Sequence, residues 1–136
     1  MADHLLDTGI LIRHLRKRPG YHELMARLAE QGRLSIASFT RLEVIRGMRE
    51  HEREATFALL DALHTHPLDV ETADLAGEMI RFWQSQGKTL SGPDAVIAAS
   101  AICCGASLVT TNPKHFLLPD LDVLAAGENG ELSPRT

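Results

Sequence analysis

The chain has 136 residues, 24% of them charged and 44% hydrophobic, with a formal net charge of −4. That length suits one domain able to bury roughly two-thirds of its unfolded surface, and the composition excludes a disordered or fibrous protein. An acidic chain does not coat nucleic acid through bulk charge, although a local basic strip is compatible with it. No apolar run approaches the ~18 residues of a membrane span, and Met1-Ala2-Asp3-His4 lacks the basic and apolar regions of a secretory signal. The expected place is the cytoplasm, off the membrane.

Leu5-Leu6 reads as a short strand that ends at Asp7-Thr8-Gly9, and the helix after it carries Arg13, Arg16, Lys17 and Arg18 and stops at Pro19. Leu24, Met25, Leu28 and Ala29 recur at helical spacing up to Gly32, and Leu34, Ile36 and Ala37 form a short apolar strand. Thr40-Arg41-Leu42-Glu43 has the spacing of a capping box opening a third helix, and a fourth runs through Phe57, Leu60 and Leu63. His66 to Val70 is a candidate strand, and Leu75, Met79, Phe82 and Trp83 mark an amphipathic helix closing at Gly87.

Ser91-Gly92-Pro93-Asp94 opens a helix of small and apolar residues that Gly105 ends. Ser107–Thr110 and Leu121–Leu124 are the last strand candidates, with a turn at Asn112-Pro113 between them. Strands alternating with helices predict an α/β domain over residues 1–126, built on a mainly parallel sheet of about five short strands flanked by helices. Residues 127–136, rich in Gly, Glu, Ser and Pro, are expected to be a disordered tail.

In such a sheet the functional edge lies where strands lead into helices. Asp7, Glu43, Asp94 and Asn112 each follow a strand or open a helix near that edge. Taken singly, each has a structural explanation: Asp7 as an N-cap, Glu43 and Asp94 as capping-box members, Asn112 as a turn residue before proline. Taken together, the three carboxylates form a cluster whose mutual repulsion, about 4 kcal/mol per pair 4 Å apart at an effective dielectric near 20, calls for a cation. Oxygen donors select Mg²⁺ or Mn²⁺ over zinc. That combination suits hydrolysis of phosphodiester bonds.

Four fragments carry a resemblance: Leu6-Asp7-Thr8-Gly9-Ile10-Leu11-Ile12; Ser38-Phe39-Thr40-Arg41-Leu42-Glu43-Val44-Ile45-Arg46-Gly47; Pro93-Asp94-Ala95-Val96-Ile97-Ala98-Ala99; and Leu108-Val109-Thr110-Thr111-Asn112-Pro113-Lys114-His115-Phe116. In order and spacing they resemble the PIN domain, and within it the VapC-like toxins of bacterial toxin–antitoxin pairs. The resemblance implies an Mg²⁺- or Mn²⁺-dependent endoribonuclease that cleaves RNA with a metal-activated water, a cognate antitoxin as partner, and a homodimer. It assigns Asp7 and Asp94 to the metal, Glu43 to the metal or its waters, and Asn112 to positioning a water or phosphate. Thr8 and Thr110 then orient carboxylates, and Arg13, Arg16, Lys17 and Arg46 are the candidate RNA contacts. The family often has acids where this chain has Asn112 and His115, so a single firmly held metal is expected.

Two other readings compete. A phosphohydrolase with Asp7 as covalent nucleophile would want a second Asp at position 9, which is Gly9. A silent module that binds RNA or protein without cutting has no reason to keep three converging acids. His64 and His66 are spaced like a ligand pair on a strand but lack a third ligand nearby in sequence, so zinc is not expected there. Cys103 and Cys104 read as reduced core thiols, and Phe82 and Trp83 as core or interface.

Overall fold

The computed structural model describes residues 2–135. Strand β1 (His4–Leu6) leads through α1 (Thr8–Leu15) and α2 (Tyr21–Gln31) to β2 (Leu34–Ala37), and α3 (Ser38–Gly47) and α4 (Arg53–Ala62) lead to β3 (His64–His66). Helices α5 (Val70–Ser85) and α6 (Gly92–Cys104) follow, and β4 (Ser107–Thr110), β5 (Val123–Ala126) and β6 (Leu132–Pro134) complete a six-stranded sheet. Its order is β3-β2-β1-β4-β5-β6, parallel throughout except for the β5–β6 pair. The fold is α/β, mostly parallel, with helices on both faces.

Because both faces are covered, successive strand residues feed two separate cores. Leu5 and Leu108 pack with Ile97, Trp83 and Phe116 beneath α5 and α6. Leu6, Ile36 and Val109 pack with Ile10, Leu24, Leu28 and Leu60 on the opposite side. The small side chains Ala95, Ala98, Ala99 and Ala101, each fully buried, let α6 lie close against the sheet and α5. This places the start of α6, and Asp94, at the edge where β1 and β4 end.

Several expectations are corrected. The tail is not disordered over its described residues: Leu132–Pro134 adds a sixth strand, and Thr136 lies outside what is described. Polar contacts, not an apolar run, hold it. Tyr21 donates its hydroxyl to the Gly127 carbonyl at 2.7 Å, and the Arg135 guanidinium donates to the carbonyls of Phe116, Leu118 and Leu121. Gly20, at φ 85°, is fixed by the same packing, since a Cβ there would meet the Asn129 carbonyl oxygen at 1.7 Å.

The strand placed at 66–70 occupies 64–66, because the Asp69 side chain accepts from Thr72 N at 2.9 Å and claims Val70 for α5. Thr40 and Glu43 form no capping box. Strand β2 runs directly into α3 at Ser38, so both residues lie inside the helix. That shift releases the Glu43 carboxylate for another partner.

Candidate active site

The chain lays β2 and β3 to one side of β1, then places β4 and β5 on the other. Ligand sites in open α/β sheets form at such a reversal, beyond the carboxyl ends of the two central strands. Here those strands are β1 and β4. Asp7 leaves the end of β1 and Thr110 ends β4.

Asp7 is only 8% exposed and caps α1, accepting from Thr8 N at 2.7 Å through Oδ1. Its other oxygen accepts from Thr110 Oγ1 at 2.7 Å. Thr110 Oγ1 in turn accepts from Asn112 N at 3.0 Å, so the turn after β4 is locked to the same carboxylate. Thr8 donates its hydroxyl to Glu43 Oε1 at 2.6 Å and lies 3.2 Å from the hydroxyl of the buried Thr40. Two acids from different elements are therefore joined through the short segment Asp7-Thr8.

Asp94 opens α6, with its N–H donated to Ser91 Oγ at 3.2 Å, and its Oδ2 lies 3.4 Å from His115 Nδ1. Burial pushes the Asp7 carboxyl above its ordinary range; Thr110 and Thr8 pull it back by donating to the ionised form, while Asp94 and Glu43 push it up again by charge. Asp7, Glu43 and Asp94 thus share one electrostatic environment. Among the described residues no lysine or arginine pairs with any of the three. Their oxygens do not all lie within 4.8 Å of one another. The site is an open crevice rather than a closed cage.

The chain matches the PIN-domain family over residues 4–120. It belongs to that family. It is 34% identical over 119 residues to ribonuclease VapC19 of Mycobacterium tuberculosis, covering 86% of this chain and 95% of that protein. The fold is similar to that in the VapBC-1 structure from nontypeable Haemophilus influenzae, with a TM-score of 0.77, 25% identity, and 90% and 97% of the two chains covered. It is also similar to a toxin–antitoxin complex from Klebsiella pneumoniae, with a TM-score of 0.70, 24% identity, and 86% and 92% covered.

The remaining candidates of this PIN domain fall at different distances from the crevice. Asn112 is exposed, its side-chain amide 3.5 Å from Thr111 Oγ1. Arg13 lies over the Tyr21 ring at 5.9 Å and close to Gly9 at the start of α1. Arg16 lines a cleft with Glu43, and Arg46 is exposed one turn along α3 from Glu43. Lys17 sits past the far end of α1 at φ 57°, beside a different cleft with His14 and His22. Trp83 is buried in the core, whereas Phe82 remains 56% exposed.

Four contributors escaped the sequence reading: Thr40, Gly9, Thr111, and His115 as a neighbour of Asp94. A Cβ on Gly9 would come 2.8 Å from Thr111 Oγ1, so glycine lets the turn after β4 press against α1. The signal was present in Gly9 itself. A glycine inside a helix costs up to about 1 kcal/mol relative to alanine and is kept where something approaches the backbone. The fold also brings to His64 and His66 the neighbour that their sequence surroundings lack: Cys104, remote in sequence, comes to lie beside them.

Proposed function

We propose that this PIN domain is an Mg²⁺- or Mn²⁺-dependent endoribonuclease and the toxin of a toxin–antitoxin pair, acting as a homodimer and held in check by a cognate antitoxin. Its chief support is Asp7, a buried carboxylate with two acidic neighbours and no basic side chain paired to it among the described residues. An RNA phosphate entering this crevice adds further negative charge, which only a cation can offset. The oxygen-only donor set fits a hard divalent ion, and its open spacing suits Mg²⁺, which takes one or two carboxylates and keeps several waters. The ribonuclease named VapC19 supports the reaction class, and the VapBC-1 and toxin–antitoxin complexes support the partner.

Asp7 and Asp94 would hold the ion, with Glu43 reaching it or its waters. When bound, such an ion lowers the pKa of water and stabilises charge building on a phosphate. Thr110 and the Thr8 N–H fix the Asp7 carboxylate in one orientation, and Thr8 does the same for Glu43. Asn112, whose N–H is donated to Thr110 Oγ1, would position a phosphate or water through its side-chain amide. Arg13 and Arg16 on α1 and Arg46 on α3 would draw the RNA backbone toward the acids; Lys17, past the far end of α1, would act only at long range.

The purified protein incubated with RNA and Mg²⁺ or Mn²⁺, followed by sequencing of the new ends, tests the proposal. Cleavage should require the ion and disappear in Asp7→Asn. Equal cleavage by the variant, or none by the wild type with either ion, would overturn it.

A further inference from the structure

At the far end of α6 from Asp94, the fold assembles a set of ligands of a different kind. His64 and His66 alternate along β3 and therefore point to the same face of the sheet. They pair in register with Ser35 and Ala37 of β2, and Ala37 packs in the core beneath α5 and α6. On that face Cys104, the last residue of α6, closes the group. One ligand atom from each of His64, His66 and Cys104 lies within 4.8 Å of the other two. Cys104 is a free thiol, and β3 is an edge strand, so the cluster is open to solvent on one side.

We propose that His64, His66 and Cys104 form a Zn²⁺ site, separate from the acidic crevice, with water as the fourth ligand. Two imidazoles and one thiolate match the donor preference of zinc and not that of Mg²⁺ or Mn²⁺. Zinc bonds of about 2.0–2.3 Å in a tetrahedron set ligand atoms about 3.3–3.7 Å apart. The cluster therefore needs to close by only about 1 Å, and the exposed His64 can supply that movement.

The surroundings are those of an oriented ligand set. His66 Nε2 is 2.8 Å from Thr72 Oγ1, a bond that would orient the ring with Nδ1 taking the metal. Thr72 is fully buried and its N–H is donated to Asp69, so its hydroxyl is held in place. Such a bond to the second ring nitrogen is how metal-bound histidines are fixed. Partial desolvation keeps the largely exposed His64 toward its neutral, ligating form, helped by the Arg33 and His66 charges. Burial also holds Cys104 as a thiol, while Arg33 favours the thiolate. Binding releases the thiol proton to solvent as the sulfur–zinc bond forms.

Ten residues of α6 put this cluster about 15 Å from Asp94, too far for one ion to serve both sites. Zinc here would pin the edge strand β3 to the end of the helix whose beginning carries Asp94.

Co²⁺ titration of the reduced full-length protein tests the proposal, because only a thiolate ligand gives an intense near-ultraviolet charge-transfer band. One equivalent of Co²⁺ should produce the band, and one of Zn²⁺ should bleach it. The band should persist in Cys103→Ser and in Asp7→Asn, vanish in Cys104→Ser, and need at least tenfold more Co²⁺ in His64→Ala. No band in the wild type, or a band that survives Cys104→Ser, would overturn the site. Because His64 is exposed, its variant leaves the fold intact and an unchanged titration there also counts against the proposal.

Discussion

Thr110 donates its hydroxyl to Asp7 across the junction of β1 and β4, 2.7 Å between two residues that are 103 apart in sequence and both buried. The bond aims one carboxylate oxygen and accepts the Asn112 N–H at the same time. Thr110→Val keeps the shape and removes both contacts. Loss of an orienting partner of this kind typically costs 10–100-fold in metal affinity or activity, and the Asn112 N–H loses the acceptor that locks the turn after β4. RNA cleavage and Mn²⁺ affinity should fall together in Thr110→Val and recover in Thr110→Ser. A valine variant with unchanged metal affinity would assign Thr110 a purely structural role.

Asp7 carries a pH dependence of definite sign. Its carboxyl is raised chiefly by burial, with Asp94 and Glu43 adding to the shift, so the folded protein holds that proton more tightly than the unfolded chain does. Above its raised pKa the ionised group therefore subtracts stability, and the penalty vanishes as pH falls through the carboxylate range. In chelator at neutral pH, Asp7→Asn should melt at a higher temperature than the wild type, and the gap should close on acidification. Added Mg²⁺ should stabilise only the wild type. Thermal melts from pH 7 to pH 4 read both effects, and a variant less stable than the wild type at neutral pH would contradict the sign.

The order of strands and helices was legible because periodicity and breakers are local. The run of small and apolar residues from Ala95 to Cys104 announced a buried helix, and Gly105, at φ 64°, ends it as expected. The role of Glu43 was not legible. Thr40-x-x-Glu43 has the form of a capping box, but helix α3 starts where β2 ends, and only the tertiary fold fixes that point. Cys104 was hidden from His64 for the same reason: forty residues separate them, and only the α6–β2 packing brings the thiol to β3. The tail misled because its order comes from hydrogen bonds that Tyr21 donates to Gly127 and that Arg135 donates to the carbonyls of Phe116, Leu118 and Leu121, which composition cannot report.

On the proposed reading, Asn112 stands where the family resemblance often places a fourth acid. Asn112→Asp restores a negative charge in the same volume, beside Thr111 and next to the locked turn. Calorimetric titration with Mn²⁺ should show tighter binding, by about tenfold for each 1.4 kcal/mol of added attraction, or a second binding event. In metal-free buffer the extra charge should destabilise the variant, since like charges then converge without a counterion. Binding identical to the wild type would place Asn112 outside the reach of the ion and remove it from the site.

Tyr21 links the tail to the body of the domain. Its ring is fully buried at the start of α2, and its hydroxyl donates to Gly127 at the turn that leads β5 into β6. Tyr21→Phe keeps the ring and removes the bond, at a cost of about 0.5–1.5 kcal/mol. The loss should be local. Hydrogen exchange should speed up across residues 127–135, where the backbone bond from Gly127 N to Glu131 O closes the hairpin, while β1 and β4 keep their protection. RNA cleavage should be unaffected, because Tyr21→Phe keeps the ring that lies under Arg13, and β4 separates β5 from β1 in the sheet. Loss of activity without loss of tail protection would mean that the hairpin contacts the substrate rather than bracing the fold.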